Sequence, residues 1–438
     1  MKSIFRKIEN ELKKTFWKLP LSIGIKKKLK AILSKAESED LEVSYNSIKN
    51  IDAKELKEYI FNILQLPSSK SDEFVGYIEH NSLIERKAKI VAYYLPQFHP
   101  TEKNDLWWGK GTTEWNNVSK AVPQYPGHIQ PKLPGELGFY DLRIPAVMDR
   151  QIQLAKNYGI DVFSFYYYWF DGERILEKPL DMFIENKQFD IEFCLCWANE
   201  NWTKRFSGTN TDILMKMSET EESYKKFIHD ALSYLKDQRY YMINDKLVLV
   251  IYRPSLIPNH KEVLSYWRDV VYAELDKELY IIASSESRID IDWTKFGFDA
   301  MSQFQPNALS NDIKEITSKI NPIRKDFSGT IYDYEDIVIN QKYGFKNSTE
   351  KKYPAVMPRW DNTARRDYKG IIYHGSSPIL YKRWLKRAIE YANNNKSLDI
   401  PMIFINAWNE WGEGAYLEPD KEYGYAFLEA TWQSVCED

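Results

Sequence analysis

From Lys89 onward the chain repeats one texture. A short apolar run closes in a polar or aromatic cluster, and a stretch with helical spacing of apolar positions follows. Apolar runs without strict alternation suit strands buried on both faces. Their regular exchange with helices predicts parallel strands joined by crossovers. Eight strands are predicted, over 90–98, 162–170, 191–199, 247–253, 279–285, 300–305, 355–360 and 402–408. Helices are predicted over 145–158, 175–185, 219–236, 261–274 and 380–393, with a closing helix after Gly424. The fifth and sixth repeats are irregular. After Ser285 there is too little chain for a full helix, and a long polar insertion follows at 307–352. Eight such repeats predict an α/β fold, a (β/α)₈ TIM barrel over 88–438. Residues 1–85 read instead as a helical, basic N-terminal extension, interrupted at Pro20 and Gly24, with Pro67-Ser68-Ser69 ending another helical stretch within it.

The clusters at the strand ends change this picture from a fold to a site. Tyr94, Gln97 and His99 follow the first predicted strand, and Tyr167 and Trp169 end the second. Trp197, Asn199, Glu200 and Trp202 lie at the third, Tyr252 and Arg253 at the fourth, and Gln303 at the sixth. Arg359 and Trp360 end the seventh, and Asn409, Glu410 and Trp411 follow the eighth. Trp108 and Glu114 belong to an aromatic loop after the first strand, placed to cover the mouth. The C-terminal strand ends of a barrel converge on one face, where barrel active sites sit. The chain carries 14 Trp, 30 Tyr and 21 Phe. Many could serve a core. Aromatics interleaved with Asn, Glu and Arg also suit a sugar, whose C–H faces stack on rings while its hydroxyls bond to amides and carboxylates.

Glu410 and Glu413 are the candidate catalytic residues. They leave the last strand three positions apart, with Gly412 and Gly414 permitting a tight turn. Breaking or making a glycosidic bond needs a proton donor at the departing oxygen and a basic or negative group near the anomeric centre. Two carboxylates in unlike surroundings can divide those roles. The competing reading is a surface pair at a helix N-terminus. Glu200 is a third carboxylate that could compete for a catalytic role or simply cap a loop. Asn199 and the other strand-end polar residues read as substrate binders. Six His with no close pair make a metal site unexpected, and no cofactor fingerprint or nucleophile elbow is present.

Charge is uneven. Residues 1–35 carry eleven Lys and Arg against Glu9 and Glu11, a net of +9, which leaves −12 for the rest given the total of −3. An acidic body argues against a nucleic-acid partner. The arm mixes apolar and basic residues, as a segment lying on an anionic membrane surface would. A solvated basic helix packed on the barrel is the other reading. Cys194, Cys196 and Cys436 form no disulfide framework, which points to a reducing compartment. Without a long apolar run or a secretory leader, the expected location is the cytoplasm, with the arm at the inner face of the membrane.

Several of these stretches resemble a known family. They are 92–99 (AYYLPQFH), Trp107-Trp108-Gly109-Lys110-Gly111, Thr113-Glu114-Trp115, 137–141 (LGFYD), 196–203 (CWANENWT) and 407–414 (AWNEWGEG). They are similar, in order, to the WbsX-type, glycoside hydrolase family 99-like proteins, which carry the labels lipopolysaccharide biosynthesis protein and glycosyltransferase. The resemblance covers about residues 88–435. It implies a (β/α)₈ barrel and a retaining, endo-α-mannosidase-like reaction in which the substrate's own 2-hydroxyl attacks. Glu410 would then be the base on that hydroxyl and Glu413 the acid on the leaving oxygen. Gly412 departs from the mannosidases, which carry His there. The resemblance implies an oligosaccharide or polysaccharide substrate from the bacterial surface. A sugar-nucleotide glycosyltransferase and a non-catalytic glycan-binding barrel are the alternatives.

Overall fold

The computed structural model describes Ile60 and residues 66–80, 84–203, 213–218, 220–285, 291–320, 322–345 and 350–436. The basic arm, and most of the segment read as a helical extension, lie outside the described residues. The compact unit that holds the barrel runs from Gln65 to Asp438. It therefore includes residues 66–80, where Leu66–Ser68 is a 3₁₀ turn and the rest has no helix or strand apart from a single bridge at Val75. That segment is tied down by Val75 N–H on the Tyr423 carbonyl (3.1 Å) and His80 Nε2 against Glu429 (2.8 Å).

Eight parallel strands make the barrel: β1 (Lys89–Tyr94), β2 (Val162–Phe170), β3 (Glu192–Trp197), β4 (Lys246–Ile251), β5 (Glu278–Ser284), β6 (Ala300–Ser302), β7 in two halves (Lys352–Tyr353 and Ala355–Val356) and β8 (Met402–Ile405). Each pairs with its sequence neighbour, and β8 returns to β1 with Ile403 opposite Ile90. Pro354 splits β7 because it has no N–H for the ladder. One half pairs with β6 and the other with β8, so the ring closes across the proline.

The second strand has the predicted bounds, and the others are shorter at their C-terminal ends than the apolar pattern predicts, because the chain leaves the ladder at the polar clusters. The helices follow the predicted spacing closely. Pro145–Asn157 and Pro378–Asn394 begin on prolines, whose missing N–H costs nothing at a helix start, and Ser377 caps the second through Leu380 N–H. Glu221–Leu235 and His260–Leu275 cover β3 and β4, with Trp197 stacked on Phe227 at 3.8 Å. Among its described residues the fifth crossover has only the 3₁₀ turn Trp293–Phe296. The long insertion supplies a strand, Thr330–Asp333, that pairs in parallel with Ile371–His374 outside the barrel. Cys194 and Cys196 are free and buried. Among the described residues no helix is long and apolar enough to cross a membrane.

Candidate active site

After β8 the chain forms a small hairpin. Asn409 and Glu410 pair with Ala415 and Tyr416 across the turn Trp411–Glu413. Asn409 pins the hairpin to the end of β1, accepting from Leu95 N–H (2.7 Å) and donating to the Leu95 carbonyl (3.0 Å). Trp411 stacks on Tyr416 at 3.7 Å and donates to the buried carboxyl of Glu418 at 2.6 Å. Gly414 takes the left-handed conformation that closes the turn (φ 61°). The Glu413 carbonyl accepts from Asp361 N–H at 2.7 Å, joining this turn to the segment after β7.

The short helix Thr363–Arg366 in that segment carries Arg365. Each nitrogen of its guanidinium serves a different carboxylate. Nε donates to Glu114 Oε1 (2.7 Å), Nη2 to Glu410 Oε2 (2.9 Å), and Nη1 lies 2.7 Å from Glu413 Oε1. Glu114 is fully enclosed, Glu410 is 5% exposed, and the Glu413 side chain is 24% exposed. One positive charge thus faces three carboxylates in a poorly hydrated place. Burial pushes the Glu410 and Glu413 carboxyls above the usual range. Arg365 draws them down, while repulsion from neighbouring carboxylates raises them again. Burial works against the charge of Arg365, but the carboxylates outweigh it and hold the guanidinium protonated. The arrangement can hold a proton on one carboxyl while the other stays ionised.

Glu410 and Glu413 line a hollow of about 780 Å³ at the C-terminal mouth of the barrel. Its walls are aromatic. Tyr168 meets Trp202 edge-on at 5.0 Å, Tyr252 meets Phe304 at 5.1 Å, and Tyr332 stacks on Tyr373 at 5.3 Å. Polar groups between them include Gln97, Glu200, Arg253, Asn307 and Asn362. Glu200 accepts from Arg253 Nε at 3.2 Å. The space fits a chain of sugar units with rings to stack on.

The sequence model described as Glycosyltransferase WbsX matches residues 90–431. The chain belongs to this WbsX family. It is 39% identical over 378 residues to the protein named Uncharacterized protein WxcX from Xanthomonas campestris pv. campestris (strain B100), an alignment covering 85% of this chain and 54% of that protein. The chain thus spans about half the length of the curated relatives it matches. A solved structure titled Glycoside hydrolase-like protein is similar at a TM-score of 0.54 and 16% identity, covering 83% of this chain and 98% of that one. That likeness is one of fold. The GH99 endo-alpha-mannosidase from Bacteroides thetaiotaomicron aligns at a TM-score of 0.49 and 14% identity, covering 79% and 96%.

Within this WbsX barrel, the residues expected to bind substrate divide into three groups. Gln97, Glu200, Trp202, Tyr252, Arg253 and Trp360 line the hollow with Glu410 and Glu413. Asn409, Trp411, Glu114 and Asn199 stand behind its wall. Asn199 fixes the Arg253 backbone through two bonds of 2.8 Å. The third group is corrected from binder to framework. Tyr167 and Trp169 point outward because side chains alternate along β2; Tyr167 packs on Tyr234, and Trp169 donates to Asp230. Trp197 likewise packs under the helices, and Tyr94 donates to the buried Gln151. His99 is enclosed against the Pro96 carbonyl, and burial lowers its pKa to about 4. Gln303 spans the Tyr343 carbonyl and Ala355 N–H. Arg359 is buried against Asp420 and over the Tyr416 ring, and Trp108 does not line the hollow. Tyr166, Tyr168, Tyr332, Tyr373, Asn362, Arg365 and Arg366 line it without having been expected.

Gly412 is held to glycine by its surroundings. Its φ is not left-handed, so the turn does not demand glycine. Space does: a Cβ there would sit 1.6 Å from Glu114 Oε1 and 2.8 Å from Arg365 Nε. The Glu114–Arg365 pair fills the volume that a side chain at 412 would take. Gly412→Ala is therefore expected to displace Glu114 and tilt Arg365, lowering kcat/KM by about 10²-fold, the effect of a misplacement near 1 Å. Steady-state kinetics and a thermal melt check this, and parental activity in the variant would contradict the packing.

Proposed function

We propose that this barrel is a carbohydrate-active enzyme that cleaves or transfers a glycosidic bond, with Glu410 and Glu413 as its reacting carboxyl groups. One observation carries the reading: a buried and a partly buried carboxyl share a single guanidinium while facing an aromatic-walled hollow large enough for an oligosaccharide. Such a pair can give a proton to the leaving oxygen and take one from the attacking hydroxyl in the same cycle. By its resemblance to the family 99 enzymes, the reaction is retaining, Glu410 acts on the substrate's 2-hydroxyl, and Glu413 protonates the leaving oxygen. Tyr166, Tyr168 and Trp202 would carry the ring faces, and Gln97 and Asn362 the hydroxyls. The substrate belongs to bacterial surface polysaccharide, either the polymer or a precursor.

The family's description as a glycosyltransferase favours a second reading, transfer from a sugar nucleotide. The two are separated by incubating the protein with candidate oligosaccharides with and without sugar nucleotides. Release of sugar without a nucleotide supports the first reading. Strict dependence on a nucleotide supports the second, and ligand binding without turnover under any condition contradicts both.

The +9 charge of residues 1–35 belongs to the same picture if the substrate is membrane-borne. Deleting those residues is expected to weaken sedimentation with anionic vesicles and leave binding to neutral vesicles unchanged. Equal binding by both forms would remove the arm from the proposal.

A further inference from the structure

We propose that the glycan substrate carries a phosphate or diphosphate group, and that Arg366, with Lys120 and Lys369, binds it in a second cavity beside the large hollow. The inference rests on the reading that the large hollow takes a glycan. It adds a substrate class and a site for it.

The helix Thr363–Arg366 divides the two spaces, and both Arg365 and Arg366 line each of them. The second cavity is about 440 Å³ and is walled by Lys120, Ala121, Val122 and the stretch Thr363 to Lys369. Its charge is lopsided: four cations against one carboxylate, Asp367. Asp367 is already engaged by Arg324 at 2.8 Å and by Gln124 at 3.2 Å. Arg365 is engaged by its three glutamates. Arg366, Lys120 and Lys369 make no ion pair among the described residues, although Arg366 is half-buried. Lys369 rests beside the Tyr368 ring at 5.3 Å.

Among the described residues, the other cations that line the hollow each have an acid: Arg253 has Glu200, and Arg365 has its three glutamates. Three uncompensated cations around one cavity repel each other and concentrate positive potential there, an arrangement that is favourable once an anion enters. A carboxylate on a sugar would need Arg366 alone. The two lysines in addition match a phosphate dianion or a diphosphate, with the planar fork of Arg366 taking two oxygens. Because Arg366 also lines the larger hollow, a phosphate held here would be attached to the sugar chain that faces Glu410 and Glu413. Nucleotide-linked and lipid-linked glycans both present this chemistry.

The test is calorimetric titration of the full chain with inorganic pyrophosphate. Binding is expected, weakened at least about tenfold in Arg366→Gln, the loss of one charge-assisted contact. The double substitution Lys120→Gln with Lys369→Gln, at exposed positions that place folding at little risk, is expected to do the same. Glu410→Gln should retain binding. A nucleoside diphosphate and farnesyl diphosphate then distinguish the sources, since the fitting one binds more tightly than pyrophosphate and loses affinity in Arg366→Gln. No binding of any of the three, or equal affinity in parent and both variants, overturns the proposal. Glu410-dependent turnover of an oligosaccharide by a protein that binds none of the three diphosphates would leave the glycosidic reading standing and this one refuted.

Discussion

Glu410→Gln and Glu413→Gln are each expected to lower kcat on the glycan substrate by about 10²–10⁴-fold, the usual contribution of a positioned acid or base. KM should change far less, because Gln keeps an oxygen for Arg365 and nearly the same volume. The two variants should part on a glycoside whose leaving group needs no proton. Glu413→Gln is expected to keep turnover there, and Glu410→Gln to remain inactive; the opposite pattern would exchange their roles. Stability supplies a second readout. Both carboxyls have folded-state pKa values raised by burial, so the fold favours their protonated forms. Their stabilising contribution is complete below the ordinary glutamate pKa and is lost as pH rises through the raised one. Gln imitates the protonated carboxyl at every pH. The melting temperature of each variant should therefore gain on that of the parent as pH rises above the ordinary glutamate range. A difference that does not vary with pH would mean that the carboxyls are not forced together.

Arg365→Met is expected to be the most disruptive single change in the site. It leaves Glu114, Glu410 and Glu413 without their shared cation, and a buried carboxylate that loses its partner costs about 3–5 kcal/mol. The penalty should shrink toward pH 5, where the orphaned carboxyls can take up protons instead. Arg365→Lys keeps the charge but offers one ammonium where three separate nitrogens meet three separate carboxylates. It should recover part of the stability and little of the activity. Chemical denaturation at two pH values, together with kinetics, checks this. Full activity in Arg365→Lys would show that the three-way geometry is not required.

The barrel was legible because eight apolar runs, polar only at one end, alternate with helices, and a barrel gathers those ends on one face. The pair Glu410 and Glu413 was legible for the same reason. The parity of β2 was not. VFSFYYYWF is aromatic on both faces, so period-two alternation could not tell the inward Tyr166 and Tyr168 from the outward Tyr167 and Trp169. Arg365 was within reach, since the polar run that begins at Arg359 continues past Asn362 to Arg365 and Arg366. Nothing local marks Tyr332. It reaches the hollow only because the insertion strand Thr330–Asp333 pairs with Ile371–His374, far along the chain. The role of Gly412 was also hidden, because it depends on Glu114, nearly 300 positions earlier.

The most direct test is a crystal structure of the Glu413→Gln protein with a slowly turned-over oligosaccharide. The account predicts a glycosidic oxygen within hydrogen-bond reach of residue 413, about 2.6–3.2 Å. It also predicts a sugar hydroxyl on Glu410 and rings stacked against Tyr168 and Trp202. A glycan seated elsewhere on the barrel, with both residues touching only water and Arg365, would contradict it.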